Sequence, residues 1–198
     1  MMKEDCDIRI AAFIGSVRPG NMTAAALALV VDEINQHKDT AVDVIDPAEI
    51  DLALPGTAKD SSVMDRLQQQ VSDATGVIFA TPEYHGSYSS VIKLVIEHLG
   101  FPSVLSGKPI ALLGVAAGSI GAIKALEHLR SVCSHVGAIV LPGPVSVAAV
   151  HKVFDEKGQC TDPAVERRVR GVATNLIDYI RDNICPQVAL EQMVRPDR

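Results

Sequence analysis

Five short apolar runs, most followed by a stretch of helical periodicity, restrict what this chain can fold into. The first, Ile8 to Ile14, is almost continuously apolar and ends at Gly15, the character of a strand buried on both faces. Thr23 to Ile34 then places Leu27, Val30, Val31 and Ile34 at helical spacing, which predicts the first helix. Ala41 to Ile45 alternates apolar and polar and is stopped by Asp46-Pro47, since proline disfavours helical geometry in the residue before it. By the same reading a helix spans about Ser61 to Ser72, the third strand is Gly76 to Ala80, and a helix runs from Tyr88 to Leu99. The fourth strand is Lys108 to Val115, with a helix from Ile120 to Val136. A fifth strand is split by Pro142-Gly143-Pro144 into Ala138 to Leu141 and Val145 to Ala149. Asp162-Pro163, a capping side chain followed by a first-turn proline, opens a helix to about Ile184. Strands alternating with helices predict one α/β domain over residues 1–198, a parallel sheet covered on both faces. Its core spans about 8–184, and the tail 186–198 is expected to be loose.

Composition removes several function classes. No stretch approaches the ~18 uninterrupted apolar residues of a membrane span, although 47% of the chain is apolar. Met1 to Asp7 carries Lys3, Glu4 and Asp5 without the basic start and apolar run of a secretory signal, so a cytoplasmic protein is expected. A net charge of −6 with no basic run argues against nucleic acid, and the absence of Trp with 4% aromatics argues against stacking platforms for single strands. Cys6, Cys133, Cys160 and Cys185 form no CxxC pair and read as buried or idle thiols. His128 and His135, seven apart on one predicted helix, lack a Cys or carboxylate cluster that would make them metal ligands.

Parallel sheets of this kind bind ligands beyond the carboxyl ends of their strands, which directs attention to three loops. In Gly15-Ser16-Val17-Arg18-Pro19-Gly20-Asn21-Met22-Thr23, free N–H groups and the positive end of a helix dipole suit an anion, with Ser16, Asn21 and Thr23 as further donors and Arg18 as a charge. A capped helix with a solvated arginine is the plainer reading of the same residues. Asn21 and Met22 stand where a GxxxxGK[ST] loop needs Lys and Ser or Thr, which disfavours a nucleotide triphosphatase. The second loop, Thr81 to Ser89, concentrates Glu83, Tyr84, His85, Ser87 and Tyr88 at a strand end, where an aromatic face and polar groups can line a flat ring. The third, Gly114 to Gly121, is built of small residues that let another group approach the backbone.

These loops resemble those of the NADPH-dependent FMN reductases, flavodoxin-like proteins that include quinone, chromate and azo-dye reductases. The likeness rests on Gly15 to Thr23, on Pro82-Glu83-Tyr84-His85-Gly86-Ser87 followed by a helix with Lys93, and on Gly114 to Gly121, and covers about residues 8 to 180. It implies a three-layer αβα sandwich with a five-stranded parallel sheet. By it, Ser16, Arg18, Asn21, Met22 and Thr23 would cradle the FMN phosphate. Pro82, Glu83, Tyr84, His85 and Gly86 would run along the isoalloxazine, and Ala117, Gly118 and Ser119 would close its other side. NADPH or NADH would be the hydride donor, and quinones, azo compounds, metal oxyanions or free flavin the acceptors, in ping-pong order. Two positions depart from the pattern: His85 stands where Asn is usual, and Ser119-Ile120 interrupts a longer glycine run. An imidazole at position 85 would lend flavin binding a pH dependence.

Other readings are weaker. Ala117-Gly118-Ser119-Ile120-Gly121 resembles a nucleophile elbow, but Ala117 replaces its first glycine. Only Glu127 lies between Ser119 and the last histidine, His151, as a candidate acid for a hydrolase triad. A non-enzymatic electron carrier or redox sensor would use the same cofactor. The resemblance also implies a homodimer or homotetramer. Val91, Ile92, Leu94, Val95, Ile96 and Leu99 exceed one apolar stripe, and so predict a second buried face on their helix.

Overall fold

β1 (Ile8–Ile14) is buried everywhere but Arg9 because it lies inside a sheet, paired in parallel with β2 (Thr40–Ile45) on one side and β3 (Gly76–Tyr84) on the other. The computed structural model describes residues 6–57 and 61–194. β5 (Pro109–Val115) continues the sheet beyond β3. Its outer edge is shared by two short strands, β6 (Ile139–Val140) along the start and β7 (Val145–Val147) along the end. The order β2-β1-β3-β5-β6/β7, all parallel, is the doubly wound arrangement expected, and its fifth position is split where Pro142-Gly143-Pro144 interrupts pairing.

Two apolar cores flank the sheet. On one face α1 (Met22–Ile34), the short α5 (Val150–Val153) and α6 (Pro163–Tyr179) pack with Ile8, Ile10, Ala12, Ile78 and Leu113. On the other, α2 (Ser62–Asp73), α3 (Ser90–His98) and α4 (Ile123–His135) cover Ala11, Phe13, Val77, Phe79 and Leu112. The alternation of faces along β1 and β3 follows from the two-residue strand period. Two helix ends are satisfied by side chains. Asp162 accepts from the N–H groups of Ala164 and Val165 at the start of α6. Lys108 Nζ donates to the carbonyls of Ser72 and Ala74 at the end of α2. Burial there lowers the Lys108 pKa, against the pull of Asp73.

The structure revises four sequence expectations. β3 runs to Tyr84 instead of stopping at Ala80, because Pro82 removes only one ladder donor and Thr81 and Pro82 still pair with Gly114 and Val115. The chain then turns back through β4 (Ser87–Tyr88), antiparallel to the end of β3, so α3 starts at Ser90, capped by Ser89 Oγ. The thiols Cys6 and Cys185 are joined in a disulfide spanning 179 residues, Cα–Cα 5.7 Å. A Cβ at Gly76, at the start of β3, would lie 2.8 Å from Ile180 Cδ1 and 3.2 Å from Leu176 Cδ1, so α6 ends at the amino edge of the sheet, where β1 begins. Finally, a helix α7 (Cys185–Val194) occupies the segment expected to be loose. A wide π-type turn, Ile180–Ile184, precedes it, and Pro186 falls in its first turn, where no N–H donor is needed. The predicted surplus face of α3 is mostly internal: Ile92, Val95, Ile96 and Leu99 are core residues, leaving Val91 and Leu94 half-buried.

Candidate functional site

Three segments meet beyond the carboxyl ends of β1, β3 and β5. The first leaves β1 at Gly15, which approaches β3 so closely that a Cβ would lie 2.3 Å from the Ala80 carbonyl oxygen. Its N–H donates to that oxygen at 2.7 Å. Gly15 is therefore required for close approach. Asn21 shapes the rest of the loop: its Oδ1 accepts from Ala24 N–H at 2.8 Å as the α1 cap, while Nδ2 donates to the carbonyls of Ser16 and Arg18. Ser16 and Thr23 are buried, Val17 to Gly20 exposed. Among the described residues no acceptor meets the N–H groups of Met22 and Thr23, the orphan donors expected of a helix start.

The second segment is a two-residue hairpin. Glu83 pairs with Tyr88 and Tyr84 with Ser87, leaving His85 and Gly86 as the turn, with φ of 50° and 73°. Positive φ at both positions is the signature of a type I′ turn, for which Asn-Gly is the favoured pair. The hairpin rests on α4. Glu83 Oε2 accepts from Ala125 N–H at 3.0 Å, supplying the cap that Ala122 lacks. Ser87 Oγ lies 3.0 Å from His128 Nδ1, and the Lys124 side chain passes Gly86. Burial raises the Tyr88 hydroxyl pKa, with Lys93 opposing; Lys93 also pairs with Glu97.

The third segment, Ala116 to Gly121, is held by the strand and turn beside it. Ala116 N–H donates to Val147 O, Ala149 N–H to Gly118 O, Val150 N–H to Ala116 O, and Ala122 N–H to Ser146 Oγ. Ala149 sits at φ 46°, a strained non-glycine conformation of the kind that clusters at functional sites. Ala117, Gly118, Ser119 and Ile120 remain exposed, with open space around Gly118.

Arg18 joins the first two segments: its guanidinium lies 4.6 Å from the Tyr84 ring centroid, a cation–π distance. The expected loops are thus brought together, but with divided tasks. Asn21 and Glu83 are engaged by neighbouring backbone, and His85 and Gly86 form the turn. Ser119 makes no hydrogen bond to a histidine or carboxylate among the described residues, which leaves the hydrolase reading without a triad. Cys133 is buried, and burial pushes its thiol up to about 12. No metal-holding group of His, Cys, Asp or Glu and no helix long and apolar enough to cross a membrane occurs among the described residues. Sequence reasoning missed Ser146 and Ala149, whose signal was only a strand after Pro144. It also missed a cavity of about 470 Å³ beside the first loop, bordered by Asp46 and by Glu156 to Gly158.

A helix start with amides free of protein acceptors, a glycine that must admit close backbone approach, and an exposed small-residue rim fit a ligand with an anionic end and a flat ring. The model of the family described as NADPH-dependent FMN reductase matches residues 8–152. A Pseudomonas aeruginosa protein named NAD(P)H-dependent FMN reductase is 30% identical over 170 residues, 79% of this chain and 86% of that one. A Burkholderia 2-hydroxy-1,4-benzoquinone reductase is 31% identical over 144 residues, 69% and 76% of the two chains. Among solved structures, a flavoenzyme NAD(P)H:(acceptor) oxidoreductase from Paracoccus denitrificans superposes with a TM-score of 0.75 at 22% identity, over 88% of this chain and 98% of that one.

Proposed function

Since the chain belongs to the NADPH-dependent FMN reductase family and is thus an FMN-dependent NAD(P)H oxidoreductase, we propose that its three converging loops hold the FMN and that one open cleft serves hydride donor and acceptor in turn. The observation that carries this reading is the Arg18–Tyr84 contact, which fixes the anion loop against the hairpin. FMN, when bound, supplies the hydride and electron chemistry. The chain supplies position and electrostatics: the Met22 and Thr23 amides with the α1 dipole receive the phosphate, Pro82 to Gly86 present an edge of polar backbone and the Tyr84 face to the ring, and Ala117 to Ser119 close the opposite side with small groups.

Because Ala117 to Ile120 are exposed, donor and acceptor exchange at one place, which gives ping-pong kinetics and a broad acceptor range. Quinones fit that cleft as flat acceptors, and the likeness to a benzoquinone reductase supports that class first; azo compounds, for which a Staphylococcus haemolyticus relative is named, metal oxyanions and free flavin follow. The working assembly in this reading is a homodimer or a pair of dimers in the cytoplasm, with exposed Ile120 and Ile123 beside the cleft as the apolar surface to be covered. The test is to load the purified chain with FMN, desalt, and add NADPH or NADH anaerobically. Retained visible bands that bleach with either nucleotide and recover with a benzoquinone are expected. No retained flavin would overturn the placement, and retained flavin that neither nucleotide bleaches would favour an electron carrier or sensor.

A further inference from the structure

The cavity beside the first loop is bordered by Arg18 of that loop, Asp46 just past β2, and Glu156 and Lys157 of the turn after the short helix α5. A phosphate received by the first turn of α1 borders the same space, since Asn21 and Met22 also line it. The loop's own polar side chains are partly committed elsewhere: Arg18 lies over Tyr84, and the Asn21 amide is shared among Ala24 N–H and two carbonyls. The turn facing it is firmly built. Asp155 Oδ1 accepts from the N–H groups of Lys157 and Gln159, Gly158 N–H donates to Asp155 O and Asp155 N–H to Gln159 O. Phe154 bridges to Cys160, and the Gly158 backbone packs toward Ala25 of α1.

We propose that Lys157 is a second cation for the FMN phosphate, opposed by Glu156, so that the turn after α5 sets how strongly the protein prefers FMN to riboflavin. This rests on the phosphate placement proposed above. An ammonium on a pinned turn gains attraction to a dianion even across solvent, and Glu156 and Asp46 subtract from it.

The test compares FMN and riboflavin binding to the full-length chain freed of flavin, by fluorescence quenching at low and high salt, for the wild type, Lys157→Gln, Glu156→Gln and, as a control outside the cavity, Lys152→Gln. Lys157→Gln should weaken FMN roughly three- to tenfold at low salt and less at high salt, leaving riboflavin within about twofold. Glu156→Gln should tighten FMN, and Lys152→Gln should change neither ligand. Equal losses for FMN and riboflavin in Lys157→Gln would assign the lysine a structural role and overturn the proposal, as would an unchanged FMN preference. A wild type that does not distinguish the two flavins would overturn the phosphate placement itself.

Discussion

Position 85 separates backbone from side-chain demands. His85 is the first residue of a two-residue turn at φ 50°, with Gly86 at 73°, between strands whose register is fixed by Glu83–Tyr88 and Tyr84–Ser87. A left-handed backbone costs an ordinary residue about 1–2 kcal/mol, more for a β-branched one, while Asn is the residue a type I′ turn selects. His85 already bears part of that cost, so His85→Val should destabilise the fold by about 1 kcal/mol, lowering the melting temperature by roughly 2–4 °C for a chain of this size. His85→Asn should leave it unchanged or slightly raised. Thermal unfolding of the three proteins by circular dichroism, read with FMN retention after desalting, gives the comparison. The hairpin carries Tyr84 against Arg18 and Glu83 against α4, so FMN retention should fall with the valine variant and persist with asparagine. A valine variant as stable as wild type, or an asparagine variant that loses several degrees, would refute the turn argument and return the weight to the imidazole.

Gly15→Ala places a methyl 2.3 Å from the Ala80 carbonyl oxygen and 2.8 Å from Ile92. β1 and β3 must move apart, which should cost about 1–3 kcal/mol and abolish FMN retention, as urea unfolding and absorbance would record. Glu83→Ala leaves the Ala125 N–H without its acceptor and should cost about 0.5–2 kcal/mol, whereas Glu83→Gln keeps an acceptor oxygen and should lose less in the same urea titration. Burial raises the Cys133 thiol from 9.0 to about 12, so the unfolded chain releases that proton first as pH rises. The stability it contributes is fully present below pH 9 and is lost progressively up to about 12. At pH 10 the wild type should have lost about 1.4 kcal/mol more than Cys133→Ala relative to pH 7; parallel pH profiles for the two proteins would contradict this.

The sheet was legible because a buried parallel strand writes itself as a run: Ile8 to Ile14 and Lys108 to Val115 match the structure to within a residue. The end of β3 was not, because Pro82 reads locally as a break while its strand is held by non-local pairing to Gly114 and Val115. The Cys6–Cys185 link was invisible for a related reason: nothing at either cysteine reports that α6 returns the chain to the start of β1.

Within the proposed site, the sequence singled out the loops but did not distinguish residues that would touch a ligand from residues that shape the loop. The difference lies in what each polar group already has as a partner. Asn21 and Glu83 both advertise hydrogen-bonding capacity at strand ends, yet each is spent on a helix start, α1 and α4 respectively. The amides of Met22 and Thr23, which carry no side-chain signal of their own for an anion, are the donors left over. A helix start needs its early N–H groups satisfied, and capping by Asn21 meets only part of that need. In the placement proposed above, the donors for the phosphate are what remains after the protein has capped its own helix. For that reason the loop's chemistry should survive changes to its exposed side chains other than Arg18 better than changes to Gly15 or Asn21, which decide whether those amides converge at all.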